Sequence, residues 1–205
     1  DLLYIVANNG SAGEIETLTS GGTSTQKSTA QVFDGIWSVK GLFLVSAGTG
    51  LYQYDGATTV SSAVVTLPSG QTWTDVADIG AVVLATATDG RIYSLKDVSG
   101  TFTPKGQTEI TNEIPTCVAE SNGIVFYGTK EDQTGSKKIG RLYRANLRVA
   151  DDLYVLGDNQ LIKEWDADGI DNSPKEIYNT RDSIYVGIKE SGSTSFLWRY
   201  YLPTA

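Results

Sequence analysis

Histidine and methionine are absent from all 205 residues, and cysteine occurs once. Without imidazole the chain cannot build a Ser-His-Asp triad, a Cys-His pair or a histidine metal site, which removes much of hydrolase and metalloenzyme chemistry. A lone Cys117 forms no intrachain disulfide. It lies in the apolar run Ile114-Pro115-Thr116-Cys117-Val118-Ala119 and reads as a buried structural thiol. No apolar stretch reaches the ~18 residues of a membrane-spanning helix, so no membrane insertion is expected. Basic residues are outnumbered, 16 against 24 acidic, for a net charge of −8. Phosphate backbones are bound by clustered Lys and Arg, so no nucleic-acid partner is expected. The densest basic groups are Lys137-Lys138 and Arg141 with Arg144. Ser20-Gly21-Gly22-Thr23 lacks the lysine and the helix of a phosphate loop.

The numbered chain opens directly on a strand-like run, Leu2-Leu3-Tyr4-Ile5-Val6, with no initiating methionine. It is therefore expected to be processed or excised from a longer chain. Its few oxidisable residues lean towards an extracellular, cell-surface or virion setting.

What the chain does contain is a recurring phrase: an apolar run, a tight polar turn, then a strand with an aliphatic residue followed by an aromatic one. Leu42-Phe43-Leu44-Val45, Gly48-Thr49-Gly50 and Leu51-Tyr52-Gln53-Tyr54-Asp55-Gly56 are its clearest copy. Six apolar runs align: Leu3–Val6, Leu42–Val45, Val82–Ala85, Ile124–Tyr127, Leu153–Leu156 and Ile184–Gly187. Their first residues step by 39, 40, 42, 29 and 31. Near-continuous apolar character predicts strands covered on both faces. Further strand-like segments precede the runs (Ile36–Val39, Trp73–Val76, Cys117–Ala119, Ile177-Tyr178) or follow them (Val60–Leu67, Thr101–Thr103). Four short strands per repeat of about forty residues is the pattern of a propeller blade. The fold expected is all-β, a β-propeller of five or six small blades in one domain over residues 1–205. The count stays open because Leu142 and Ile162 lie only 20 residues apart. Either one blade is abbreviated there or the Leu153 hairpin is an insertion.

The strand-turn-Gly-x-Leu/Ile-Tyr/Trp phrase, followed by Tyr54-Asp55-Gly56, resembles the blades of YVTN-like and sensor-type β-propellers. The resemblance spans nearly the whole chain and implies the fold, with no family-specific functional residue to carry over. Thr66-Leu67-Pro68-Ser69-Gly70-Gln71-Thr72-Trp73 resembles the tail of an Asp-box of sialidase-like propellers, but Pro68 stands at the aspartate position. Sialidases also need an arginine cluster, and the six arginines here are scattered.

Two local features are candidate sites. The longest hairpin turn, Thr129 to Lys138, is polar and charged, and oversized loops are where propellers carry specificity. Its ligand candidates are Lys130, Glu131, Asp132, Lys137 and Lys138, weighed against a tolerated surface insertion. The second is Glu164, Asp166, Asp168 and Asp171, acidic oxygens around Gly169 that resemble the first half of a calcium loop. Asn172 or Glu176 would complete the shell; the ordinary alternative is a solvated Asp-Gly turn. Calcium is thus the only cofactor suggested. Trp37, Trp73, Trp165 and Trp198 occur about once per repeat, as a sugar-binding propeller would show, though packing between blades calls for the same pattern.

The function expected is a non-catalytic binding or structural module on a cell surface or virion, recognising protein or glycan through blade loops. One alternative is a carboxylate-based carbohydrate hydrolase or lyase, which needs only two acids across a cleft. The other is an architectural spacer in a larger assembly.

Overall fold

A computed structural model describes residues 2–8, 13–28, 31–56, 60–132, 138–166, 172–189 and 195–202. All its regular structure is strand, in five antiparallel sheets read in chain order. The first holds β1 (Leu2–Asn8), β2 (Gly13–Thr19) and β3 (Ser24–Ser28). The second holds β4 (Gly35–Val39), β5 (Leu42–Ala47), β6 (Gly50–Tyr54) and β7 (Val60–Thr66). The third holds β8 (Trp73–Asp78), β9 (Val83–Ala87), β10 (Arg91–Val98) and β11 (Thr101–Glu109). The fourth holds β12 (Ile114–Ser121), β13 (Ile124–Asp132), β14 (Lys138–Ala150) and β15 (Leu153–Trp165). The fifth holds β16 (Pro174–Asn179), β17 (Ser183–Lys189) and β18 (Ser195–Tyr201). Within each sheet every strand pairs with its neighbour in sequence, and the fold is a β-propeller of five blades.

The blade count resolves at the fourth sheet. Leu153–Leu156, expected to open a blade, is instead the first half of the 13-residue β15, whose second half contains Leu161 and Ile162. Gly157-Asp158-Asn159 looks like a turn in sequence but is a bulge: Asn146 pairs with Gly157 and Arg144 with Gln160, so the ladder slips without reversing. Asp158 takes the left-handed conformation there, at φ 55°.

Hairpin turns set the registers. Asn122-Gly123 joins β12 to β13 with both residues at positive φ, 54° and 80°. That is the primed turn whose twist matches flanking strands. Asp151-Asp152 does the same between β14 and β15 without a glycine, at φ 50° and 62°. Asp152 is held by Lys96 Nζ at 2.6 Å and Lys105 Nζ at 2.5 Å, fastening this turn to β10 and β11. Hydrogen bonds from Lys105 and Lys96 push the Asp152 carboxyl down to about 2. A carboxyl depressed in the folded state stabilises it above its ordinary pKa near 4, and this contribution disappears as pH falls towards 2. Melting temperatures of the protein and of Asp152→Asn should therefore differ by a constant amount from pH 5 to 7 and converge between about pH 4 and pH 2.

The described residues group into two compact units, Asp1–Trp73 with Asp97–Pro104, and Thr74–Lys96 with Lys105–Ala205. In the first, Ile15, Phe33, Val45 and Tyr54 form a core between the first and second sheets. Tyr4 packs at 4.4 Å on Phe43 beside them. In the second, Leu84 and Ile92 meet Val118, Val125, Tyr127 and Leu156 between the third and fourth sheets. Phe126, Leu142 and Trp165 meet Ile184, Val186 and Ile188 between the fourth and fifth. All five residues of β9 are buried, the polar Thr86 as well as the part of the apolar run Val82–Ala85 that lies on it. Each fully buried aliphatic or aromatic side chain contributes about 1.5–3 kcal/mol, so these contacts between sheets are what the repeat exists to make. Trp165 lies edge-on to Trp198 at 5.5 Å, and Trp73 Nε1 donates to the Thr49 carbonyl at 3.1 Å. These three tryptophans are packing residues. Cys117 is fully buried beside Gly128, and burial pushes its thiol up to about 12.

Candidate functional site

In the second unit, consecutive strands bring charged residues together at one end of the fourth sheet. Thr129 on β13 pairs with Arg141 on β14, which pairs in turn with Glu164 on β15. The side chain of Arg141 is 15% exposed. Its Nη1 donates to Glu113 Oε1 at 2.8 Å and to Glu131 Oε2 at 2.7 Å, and its Nε donates to Glu164 Oε2 at 2.7 Å. Glu113, just before β12, also accepts from Tyr143 Oη at 2.9 Å and from Thr129 Oγ1. Burial works against the Arg141 charge, but the hydrogen bonds to Glu164 and Glu131 and the Glu113 carboxylate outweigh it and raise its pKa. Tyr143 is raised by burial and by its bond to Glu113. It stacks on Tyr127 at 5.2 Å with the rings 15° apart, which fixes the hydroxyl on the carboxylate. One guanidinium thus serves three carboxylates.

Glu113 also reaches a second feature, a recess of about 270 Å³ lined by Asp89, Gly90, Glu109, Ile110, Asn112 and neighbouring residues. The Asp89-Gly90 turn forms one wall, with Gly90 at φ 81° and its carbonyl accepting from Ile110 N at 2.8 Å. The Asp89 side chain is 4% exposed and accepts from Tyr93 Oη at 2.6 Å and Arg91 Nη1 at 3.2 Å. Burial and the Asp89 bond push Tyr93 up to about 12. Glu109 is exposed and makes no ion pair among the described residues. The recess is therefore walled by carboxylates and carbonyls, one of the carboxylates facing water.

The oversized turn is shorter than the sequence suggests. Thr129 to Asp132 are not loop: they continue β13 and pair with Lys138 to Arg141, because their backbone N–H and C=O groups extend the antiparallel ladder whatever the polarity of the side chains. Lys130, Glu131, Asp132 and Lys138 are strand residues, with Lys138 Nζ 4.0 Å from Asp132 Oδ1; Lys137 lies outside the described residues. Of the calcium candidates, Asp168 and Asp171 also lie outside them. Glu164 is engaged by Arg141, and Asp166 is exposed just after β15. Asn172 turns its side-chain amide to the Lys138 carbonyl at 3.3 Å, and Glu176 accepts from Tyr178 Oη. Among the described residues no three acidic, cysteine or histidine side chains are grouped to hold a metal. What the structure does join is Glu131 from one candidate and Glu164 from the other, on Arg141. Glu113 carries no local sequence signal, since a loop between sheets delivers it.

No protein-family model matches the chain, and no curated protein does. Solved structures do. The extracellular domain of the hybrid two component system BT4673 from B. thetaiotaomicron is similar over 98% of this chain and 26% of its own, with 15% identity and a TM-score of 0.65. BBS1N, solved in complex with ARL6DN, is similar over 98% of this chain and 62% of its own, with 16% identity and a TM-score of 0.59. The β-propeller domain of Myceliophteria thermophila Cps50 (Swd1) is similar over 98% of this chain and 67% of its own, with 10% identity and a TM-score of 0.59. The chain thus spans about a quarter and under two thirds of the first two. At these identities the likeness is one of fold.

Proposed function

We propose that the chain is a non-catalytic recognition module, displayed on a cell surface or virion, that binds a protein ligand through a basic side chain seated in the recess beside Glu109, Asp89 and Glu113. The observation that carries this reading is the excess of carboxylate over cation at one concave place, with Glu109 unpaired among the described residues. A Lys or Arg entering there would meet carboxylates in a partly desolvated setting, where charge-assisted hydrogen bonds are shortest and strongest. The hydrolase alternative would draw on Glu113 and Glu131, the acids that share one nitrogen of Arg141. Both are occupied as its acceptors, which favours binding over proton transfer.

The test is biolayer interferometry with immobilised protein against a Lys/Arg-rich peptide, its Glu-rich counterpart and a neutral one. The basic peptide should bind alone, weaken with added salt, and weaken at least about tenfold on Glu109→Lys. Equal binding of all three peptides, or indifference to Glu109→Lys, removes the proposal.

A further inference from the structure

The bulge in β15 produces a second recess, unrelated to the acidic one and opposite to it in charge. The slip at Asp158-Asn159 parts β14 from β15 and opens about 320 Å³ lined by Ile124, Arg144, Ala145, Asn146, Asp158 and Gln160. Bulges re-aim side chains in this way, and they are over-represented beside binding sites. Arg144, Asn146 and Arg148 follow at alternate positions on β14 and so share one face.

The polar groups here are arranged and only partly used. Arg144 Nε donates to Gln160 Oε1 at 2.7 Å, which fixes the plane of the guanidinium. Its two Nη groups have no acceptor among the described residues, and no carboxylate pairs with it. Gln160 spends its oxygen on Arg144, leaving its Nε2 donors for a ligand. Asp158 is answered by Arg148 Nη2 and by Asn146 Nδ2 at 3.5 Å, leaving the Asn146 oxygen as an acceptor. Arg148 and Asp158 cancel, so Arg144 gives the recess a positive charge in a protein of net charge −8. Ile124 and buried Ala145 supply an apolar wall.

From this geometry we infer that the recess binds a carboxylate-bearing sugar, a uronate within a glycan. The planar Nη pair of Arg144 matches a carboxylate fork. The Gln160 donors and the Asn146 and Asp158 oxygens match ring hydroxyls, which both donate and accept, and the Ile124 wall takes the ring C–H face. A bare carboxylate or phosphate would leave those acceptors without a use. The lining residues include no aromatic platform, so a single-site affinity on the order of 1 mM is expected.

The test is titration of the protein, by calorimetry and by amide chemical shifts, with trigalacturonate. Its fully methyl-esterified form, glutarate and inorganic phosphate are the comparison probes. Trigalacturonate should saturate, with shifts confined to residues around 124, 144–146 and 158–160. Methyl esterification or Arg144→Gln should weaken it at least about tenfold, the loss of one charge-assisted fork. Gln160→Ala, which releases the guanidinium from its plane and removes the Nε2 donors but keeps the Arg144 charge, should weaken it less, and it serves as the second variant if Arg144→Gln does not fold. Equal binding of the methyl ester, or indifference to both variants, overturns the inference. So does equal binding of glutarate or phosphate, which would make the recess a general anion site, or no saturation at tens of millimolar.

Discussion

Arg141→Gln should lower the stability of the second unit by about 2–4 kcal/mol, read from the shift of its urea midpoint. Removing one partner of a buried ion pair costs about 3–5 kcal/mol, because the remaining charge stays buried without compensation. Here three carboxylates lose their cation together, and the Glu113 side chain is only 12% exposed. Glu131 and Glu164 are more exposed, at 30% and 42%, and water screens part of their repulsion, which lowers the figure. Arg141→Lys should fall between the two, since an ammonium keeps the charge but cannot serve three acceptors in one plane. Adding Glu113→Gln to Arg141→Gln should recover part of the loss. Wild-type stability in Arg141→Gln would falsify the view that this network holds the end of the fourth sheet together.

The second large effect is steric. A Cβ on Gly140 would stand 2.0 Å from the Asn172 carbonyl oxygen and 2.9 Å from Pro174 Cδ. The chain entering β16 is pressed onto β14 there: Asn172 N–H bonds the Lys138 carbonyl at 3.3 Å, and Asn172, Ser173 and Pro174 are all buried. The obstacle is mostly backbone, so Gly140→Ala cannot be relieved by a rotamer change and must part β14 from the strand entry. A loss of about 3 kcal/mol or more is expected, at the upper end for overpacking. Gly187→Ala on β17 is the matched control, because its Cβ would meet nothing nearer than the Glu176 oxygen at 3.9 Å. Thermal melts of the two alanine variants should separate clearly; superimposable melts would show that the segment at Asn172 yields freely.

Much of the blade plan is legible in the chain, because apolar runs stepping by 39, 40 and 42 residues mark one strand in each of the first four sheets. The ambiguity between five and six blades had a physical source. A Gly-Asp-Asn triplet supplies positive φ equally well to a reversal and to a bulge, and only pairing with β14 distinguishes them. The site was legible in pieces. Glu131 and Glu164 stand out as members of charged stretches, but their meeting depends on a register that places Thr129, Arg141 and Glu164 abreast. Tyr143 stands two residues from Arg141 on the same face of β14, whereas Glu113 reaches the cluster from the loop between the third and fourth sheets, a long-range relation with no local trace.

Because each sheet is a meander joined only to its sequence neighbours, no strand waits for a distant segment before it can pair. Closing such hairpins costs little loop entropy, so the sheets can zip up one at a time as the chain is synthesised. Pairing within sheets is local, and what remains for the end is the docking of preformed sheets through their apolar faces. A translating ribosome would release this protein as a succession of nearly finished parts, with its aggregation hazard confined to the interval before each part meets the next.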